Sequence, residues 1–300
     1  MLCAESVLAS NESPTWVIIV DNASPNDSVA QLQRWAAGGL DAQLKGWGAN
    51  GISTKPLPLL TVADKPLAPA CNVWLVCNKE NRGYAAGNNA GIRLLMLWGA
   101  DAVWILNNDT MVDKNALGAM RERFFSKSRP GLCGARVHYA DSGLVQCRGG
   151  GKSNPWTGLS LLDGYLFPTA KALQDSEDTV EKRINFIYGA SVMASRAFIK
   201  KVGLMDERYF LYCEEQDWAY SAKGAFDLVY AANAVVYHKE GCTTGSSSHK
   251  VNLKTLWYLT RSRILLTAKH RPLALPSVGL CICFAAVRMF WRKVVRKILS

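Results

Sequence analysis

The feature that most restricts how this chain folds is a transition made three times. The short apolar runs "WVIIV" (16 to 20), "VWLVC" (73 to 77) and "AVWIL" (102 to 106) each stop abruptly at a polar loop. Those loops are "DNAS" (21 to 24), "NRGYAAGNN" (81 to 89) and "NND" (107 to 109). A helical pattern follows each one. Asp27 or Ser28 is placed to cap "VAQLQRWAA", apolar residues at 92, 95 and 96 precede a stop near Gly99, and Asp113 is expected to cap "KNALGAMRERFF". Unbroken apolar runs, rather than alternation, predict parallel strands covered on both faces. The expected class is α/β, with a mainly parallel mixed sheet flanked by helices. In such sheets ligands collect beyond the carboxyl ends of the strands, so the three loops are expected to converge on one edge. Residues 38 to 72, rich in Gly and Pro, read as an irregular connection.

The second half changes character. "GLCGARVHYADSGLVQCRGGG" reads as short strands joined by turns, and "INFIYGASVMASRAFIKKVG" as a strand followed by a helix from about Ser195. "FDLVY" and "AVVYHKEG" read as two further strands, the second ending on His238. Before them stands "FLYCEEQDWAYSAKG" (210 to 224), with Glu214, Glu215 and Asp217 crowded into four positions. Packed like charges raise one another's pKa and cost stability. Flanking aromatics argue against a disordered acidic spot. The cluster is therefore a helix start favoured by the helix dipole, or one wall of a site whose charge a cation offsets.

Composition narrows the function classes. The 300 residues suit one large domain or two modest ones, and the nine cysteines form no Cys-x-x-Cys pair. The opening residues carry no apolar signal segment, so free thiols in a reducing compartment are expected. The net charge of +11 is confined to the end of the chain: residues 250 to 300 hold eleven Lys and Arg and no acid, which leaves the first 249 residues balanced. A nucleic-acid binder spreads basic charge over its folded face, so the excess reads as a terminal attachment device. The apolar stretch 273 to 287 makes about 22 Å of helix at about 1.5 Å per residue, short of the roughly 20 residues a span needs. With "RMFWRKVVRKIL" after it, the tail reads as a basic amphipathic segment lying in a membrane interface; the alternative is a core-packing helix with a solvated basic face.

The polar residues at the strand ends carry a definite chemistry. Asp109, beside Asn107 and Asn108, is placed to hold a divalent cation with hard oxygen ligands, and His238 adds a nitrogen that manganese accepts. Gly83, Gly87 and Gly91 allow backbone to approach a ligand closely. A carboxylate of the 214 to 217 cluster, across a cleft from a nucleotide diphosphate, is able to take a proton from an attacking hydroxyl. No Gly-x-Gly-x-x-Gly follows the first strand, which excludes a dinucleotide dehydrogenase.

In their order, "VDNAS", "NRGYAAGNNAGI", "ILNNDT", "YGASVMASRAF", "GLMDERYFLYCEEQDW" and "VVYHK" resemble the family-two inverting glycosyltransferases of the GT-A fold. Within them the pattern is closest to bacterial rhamnosyltransferase-like enzymes of O-antigen and polysaccharide assembly, over about residues 3 to 270. The resemblance implies inverting sugar transfer from a dTDP- or UDP-linked donor to a lipid-linked glycan, assisted by Mg or Mn. It implies a protein held peripherally at the cytoplasmic face of a bacterial inner membrane, with a catalytic domain over 1 to 248 and a basic helical extension over 249 to 300. By the same resemblance Asp21 contacts the nucleotide base or ribose, and Asn81, Tyr84 and Asn89 shape the donor loop. Asn107 and Asn108 lead to the metal-binding Asp109, with His238 beside it, and Gly189 and Ala190 close over the sugar. Glu215 occupies the place of the catalytic base, Glu214 precedes it, and Asp217 binds the acceptor or orients the site. The family places a strand and a Tyr-Asn-like loop before the helix that "CAESVLAS" resembles, whereas Met1 directly precedes that helix here. The chain is thus expected to lack that strand and part of the base pocket. The rival reading is a degenerate fold that binds a nucleotide sugar or a partner without turnover.

Overall fold

The computed structural model describes residues 1–39, 59–61, 72–239 and 253–299. The proposed boundary at 248 and 249 falls outside them. The first half is α1 (Leu2–Leu8), β1 (Trp16–Asp21), α2 (Ser28–Ala36), β2 (Leu59–Thr61), β3 (Asn72–Cys77), α3 (Tyr84–Trp98), β4 (Ala102–Leu106), β5 (Thr110–Val112) and α4 (Ala116–Phe125). The three apolar runs become β1, β3 and β4, and α3 ends where expected, at Gly99, whose φ of 93° no side-chain-bearing residue adopts comfortably. Two readings need correction. The 38 to 72 connection contains β2, paired parallel to β3. Asp113 does not cap α4; its carboxylate accepts from the Asn115 N–H, Asn115 stands at the N-cap position, and the helix starts at Ala116.

The second half runs β6 (Pro130–Tyr139), β7 (Val145–Arg148), β8 (Gly150–Ser153), β9 (Ser160–Leu162), α5 (Thr169–Ala172), α6 (Glu177–Glu181), β10 (Phe186–Ile187), β11 (Ser191–Ser195), α7 (Arg196–Val202), α8 (Glu214–Ser221) and β12 (Asp227–His238). The Ser195 hydroxyl caps α7 by accepting from the Phe198 N–H. The two strands expected at the end are one, β12, carried through a register shift between Ala231 and Val235.

Among the described residues the strands form three sheets. One has the order β1-β3-β2, all parallel. The largest has the order β4-β11-β6-β12-β5 with β7 on β6, and most of its pairings are antiparallel. The third is β10-β8-β9. Parallel pairing thus joins β1, β3 and β2, whereas β4, expected to be parallel, pairs antiparallel with β11, and in the largest sheet β6 and β12 alone run parallel. The largest sheet is buried on both faces: Leu132 of β6 packs with Ile105, Val192, Phe198 and Trp218, while Cys133, Ala135 and Val137 pack with Met120, Phe124 and Val236. That two-sided burial is why its strands read as unbroken apolar runs.

Between the two larger sheets lies a cavity of about 1710 Å³, walled by Trp16 to Val20 on one side and Ala102 to Leu106 on the other. β1 pairs on one side with β3 and β4 on one side with β11, so among the described residues the edges facing this cavity carry no ladder. α1 ties the two sides together. Its Glu5 accepts from the Trp35 indole of α2 at 2.6 Å, and its Ser6 hydroxyl accepts from the Val112 N–H of β5 at 3.1 Å.

Helices α9 (Leu253–His270) and α10 (Leu275–Leu299) follow. α9 is packed on the body: Phe210 and Tyr258 stack at 4.5 Å, and the Ser262 hydroxyl donates to the Leu211 carbonyl. α10 begins against the body too, with Val278 fully buried and the Ser277 hydroxyl donating to the Trp156 carbonyl. Among the described residues no helix is long and apolar enough to cross a membrane.

Candidate active site

The cavity opens onto the carboxyl ends of β1 and β4, and there it is lined by Asn22, Tyr84, Asn107, Asn108, Asp109, Gly189, Ala190, Glu214, Glu215 and His238. Three sequence-distant segments are joined through the 188 to 190 loop. The Tyr84 hydroxyl donates to the Gly189 carbonyl at 2.6 Å, and the Asn107 N–H donates to the Ala190 carbonyl at 3.1 Å. The Gly189 backbone also lies against the Glu215 carboxylate, close enough that a Cβ there would stand 3.4 Å from Oε1.

The acidic helix is aimed by its own backbone. Tyr212 and Cys213 both take left-handed conformations, each with φ of 71°. For residues with a Cβ this costs about 1 to 3 kcal/mol apiece, and such strain persists where surrounding contacts over-determine it. Those contacts are visible. The Tyr84 N–H donates to the Phe210 carbonyl at 2.8 Å, and Gly83, at φ of 92°, presses directly on the Phe210 backbone. The turn delivers Glu214 and Glu215 to the first turn of α8 with their side chains in the cavity.

Burial sets their chemistry. The Glu215 carboxyl is pushed up to about 7, mainly because burial disfavours its charged form. Glu214 is raised well above the carboxylate range, first by burial and second by the charge of Glu215. Its Oε2 has no hydrogen-bond partner among the described residues. Burial thus disfavours the charged form of both acids, and Glu215 is poised to gain or lose a proton near neutrality, which is the property a general base needs. Tyr84 is held well above its ordinary range by burial and then by these two acids, so its hydroxyl remains a donor.

Asp109 and His238 meet at the opposite wall, with Oδ1 and Nε2 separated by 3.2 Å and both side chains nearly buried. Two donors in adjacent positions about 2.1 Å from one octahedral ion stand about 3.0 Å apart. The pair thus fits a divalent cation, as does its donor chemistry of one carboxylate oxygen and one imidazole nitrogen. No group of three or more His, Cys, Asp or Glu suited to a metal occurs among the described residues, so phosphate oxygens or water would complete the shell.

Four sequence-expected residues stand outside the cavity lining. Asp217 is 2% exposed and outside the cavity lining; it accepts from Lys269 at 2.8 Å, His270 at 2.7 Å and the Tyr209 hydroxyl at 3.2 Å, pinning α9 to α8. Asn89 is fully buried and staples α3 to the 205 to 207 loop, donating to the Met205 carbonyl and to Glu207. Asp21 accepts from the Ser24 N–H at 3.1 Å and shapes the turn after β1. Asn81 acts similarly, accepting from Asn22 and from the Gly83 N–H. Residues the sequence reading missed include Asn22, which bridges Asn78, Asn81 and the Gly83 carbonyl, and the Lys269 and His270 anchors. "DNAS" pointed at the first of these; nothing in the sequence pairs Asp217 with the other two.

The fold is that of the GT-A glycosyltransferases. A solved structure of GalNAc-T7 with UDP, GalNAc and Mn2+ superposes with a TM-score of 0.53 at 16% identity, covering 87% of this chain and 44% of that one. A mannosyltransferase from Pyrobaculum calidifontis, solved with GDP-Man and Mn2+, gives a TM-score of 0.49 at 13% identity, covering 99% and 75%. In sequence, the chain is similar to the N-acetylglucosaminyl-diphospho-decaprenol L-rhamnosyltransferase of Mycobacterium tuberculosis, in strains CDC 1551 / Oshkosh and ATCC 25618 / H37Rv alike. Identity is 25% over 210 residues, 66% of this chain and 67% of the relative. This similarity bears out the rhamnosyltransferase-like resemblance read from the motifs. No protein-family model matches the sequence.

Proposed function

We propose that this protein transfers a rhamnose-like sugar, with inversion, from a dTDP- or UDP-linked donor to a lipid-linked glycan in bacterial cell-surface polysaccharide assembly. The observation that carries the reading is Glu215, a half-buried acid pushed up to about 7 and facing the same cavity as the Asp109 and His238 pair. The acceptor hydroxyl loses its proton to the Glu215 carboxylate as its oxygen bonds to the anomeric carbon. The bond from that carbon to the diphosphate breaks on the opposite side, which inverts the centre. Asp109 and His238 would hold Mg or Mn, and a bound cation would supply charge neutralisation for the departing diphosphate. Burial and the neighbouring Glu215 favour the neutral form of Glu214, which lowers the negative charge facing the diphosphate. Asn107 and Asn108 are uncharged and suit a wall facing phosphate without repelling it, while Asn22, committed to Asn78, Asn81 and Gly83, holds the loop beside them.

The acceptor class is supported by the mycobacterial relatives, named for a decaprenol diphosphate acceptor, and by the tail. Leu280, Phe284, Val287 and Trp291 of α10 are each more than half exposed and recur at helical spacing, with Arg288 exposed beside them. Such a stripe suits the headgroup boundary of the cytoplasmic leaflet, each side chain contributing about 1 to 2 kcal/mol on burial. The test is a screen of nucleotide sugars with Mn2+ and a short polyprenyl diphosphate–GlcNAc acceptor, read by mass spectrometry. A product one deoxyhexose heavier is expected. Tight nucleotide-sugar binding with no product from any donor would establish the non-catalytic reading instead.

A further inference from the structure

We infer that Gln146 is a positioning residue: its amide oxygen fixes the His238 proton on Nδ1 and turns the Nε2 lone pair toward Asp109. The inference rests on the proposed reading of Asp109 and His238 as a cation site. Gln146 lies in β7, which pairs with β6, which in turn pairs with β12, so the two side chains meet across the sheet. Gln146 is 1% exposed and His238 5% exposed. An amide buried to that degree costs stability unless it is hydrogen-bonded, and His238 is a partner: its Nδ1 stands 2.8 Å from Gln146 Oε1.

The chemistry of that contact has one direction. An amide oxygen carries no hydrogen, so Nδ1–H is the donor. A neutral imidazole has a single N–H, which leaves Nε2 with its lone pair, 3.2 Å from Asp109 Oδ1. Two acceptors facing each other at that distance repel unless a cation or a proton lies between them. Tyr188 holds the ring from another side, with its centroid 6.2 Å from that of His238. Metal-ligating histidines generally owe their orientation to a partner of this kind, and loss of the partner typically lowers metal affinity about 10- to 100-fold.

The experiment uses the full chain without donor. Mn2+ affinity is measured by paramagnetic resonance for wild type, Gln146→Leu and Gln146→Glu. The His238 tautomer is read separately from imidazole 15N shifts in the metal-free protein, at a pH above the usual imidazole range. Leucine is expected to weaken Mn2+ binding about 10- to 100-fold and to let the Nε2–H tautomer appear. Glutamate keeps an acceptor and is expected to match or exceed wild type. Wild-type affinity in the leucine variant, equal weakening by leucine and glutamate, or an Nε2–H tautomer in wild type would each overturn the assignment. Should the leucine variant not fold, the glutamate variant and the wild-type tautomer decide. A wild type that shows the Nδ1–H tautomer yet binds no Mn2+ would leave the Gln146 assignment standing and remove the cation reading.

Discussion

Replacing Glu215 with Gln should raise stability and abolish most activity, and the size of the first effect follows from burial. The carboxyl sits at about 7 in the folded chain, against about 4.3 in an unfolded one. Below the lower value both states are protonated and the residue contributes nothing to pH dependence. Between the two values the folded state holds more protons than the unfolded state, so stability falls as pH rises. Above about 7 the full cost applies, roughly 4 kcal/mol at 1.36 kcal/mol per unit. Glutamine cannot ionise and escapes that cost. At pH 8 the variant should therefore melt about 8 °C above wild type, taking about 2 °C per kcal/mol for a chain of this size; at pH 4 the gap should close. In the transfer assay kcat should fall about 10²- to 10⁴-fold. Wild-type kcat/KM should drop tenfold per unit below pH 6. Calorimetric melts at the two pH values, together with the rates, check this. A variant no more stable than wild type at pH 8 would refute the burial argument, and one with full turnover would refute the role as base.

Three further outcomes follow from the geometry. Asp109→Ala should abolish donor-independent Mn2+ binding, and EDTA should mimic it by suppressing donor binding in calorimetry of the wild type. Gly83→Ala should fail to reach a native fold or lose the Tyr84–Phe210 contact, because a Cβ there collides with the Phe210 backbone and φ is 92°; far-UV dichroism and melting would show it. Charging the exposed stripe of α10, as in Phe284→Asp with Trp291→Asp, should cut binding to anionic vesicles about tenfold or more in a sedimentation assay and leave the melting temperature within about 1 °C.

What the sequence made legible was local. β1, β3 and β4 announced themselves as unbroken apolar runs, of which β3 is buried while β1 and β4 are half-buried along the cavity, and the loops after β1 and β4 meet at the cavity as strand-end loops do. The acidic helix stood out because three carboxylates without cations nearby is an unstable arrangement that needs a reason. The reasons that lay far off in the chain stayed hidden. Asp217 reads as one of an acidic trio, yet its cations, Lys269 and His270, arrive from α9. Asn89 reads as a loop residue and is a staple to Met205, 116 positions away. Gln146 is one polar residue in a strand, with no periodicity to mark it; only the pairing of β6 with β7 and β12 brings it to His238. Strand β12 looked like two because the register shift between Ala231 and Val235 breaks its pattern.

The central claim is that one half-buried carboxylate, Glu215, takes the acceptor proton in a single displacement at the anomeric carbon. The most direct measurement is the anomeric configuration of the first-formed product, from the one-bond carbon–hydrogen coupling in NMR, with a donor of known configuration. A single displacement assisted by Glu215 yields the configuration opposite to that of the donor. Retention of the donor configuration would require two displacements or attack from the same face, and would contradict the account.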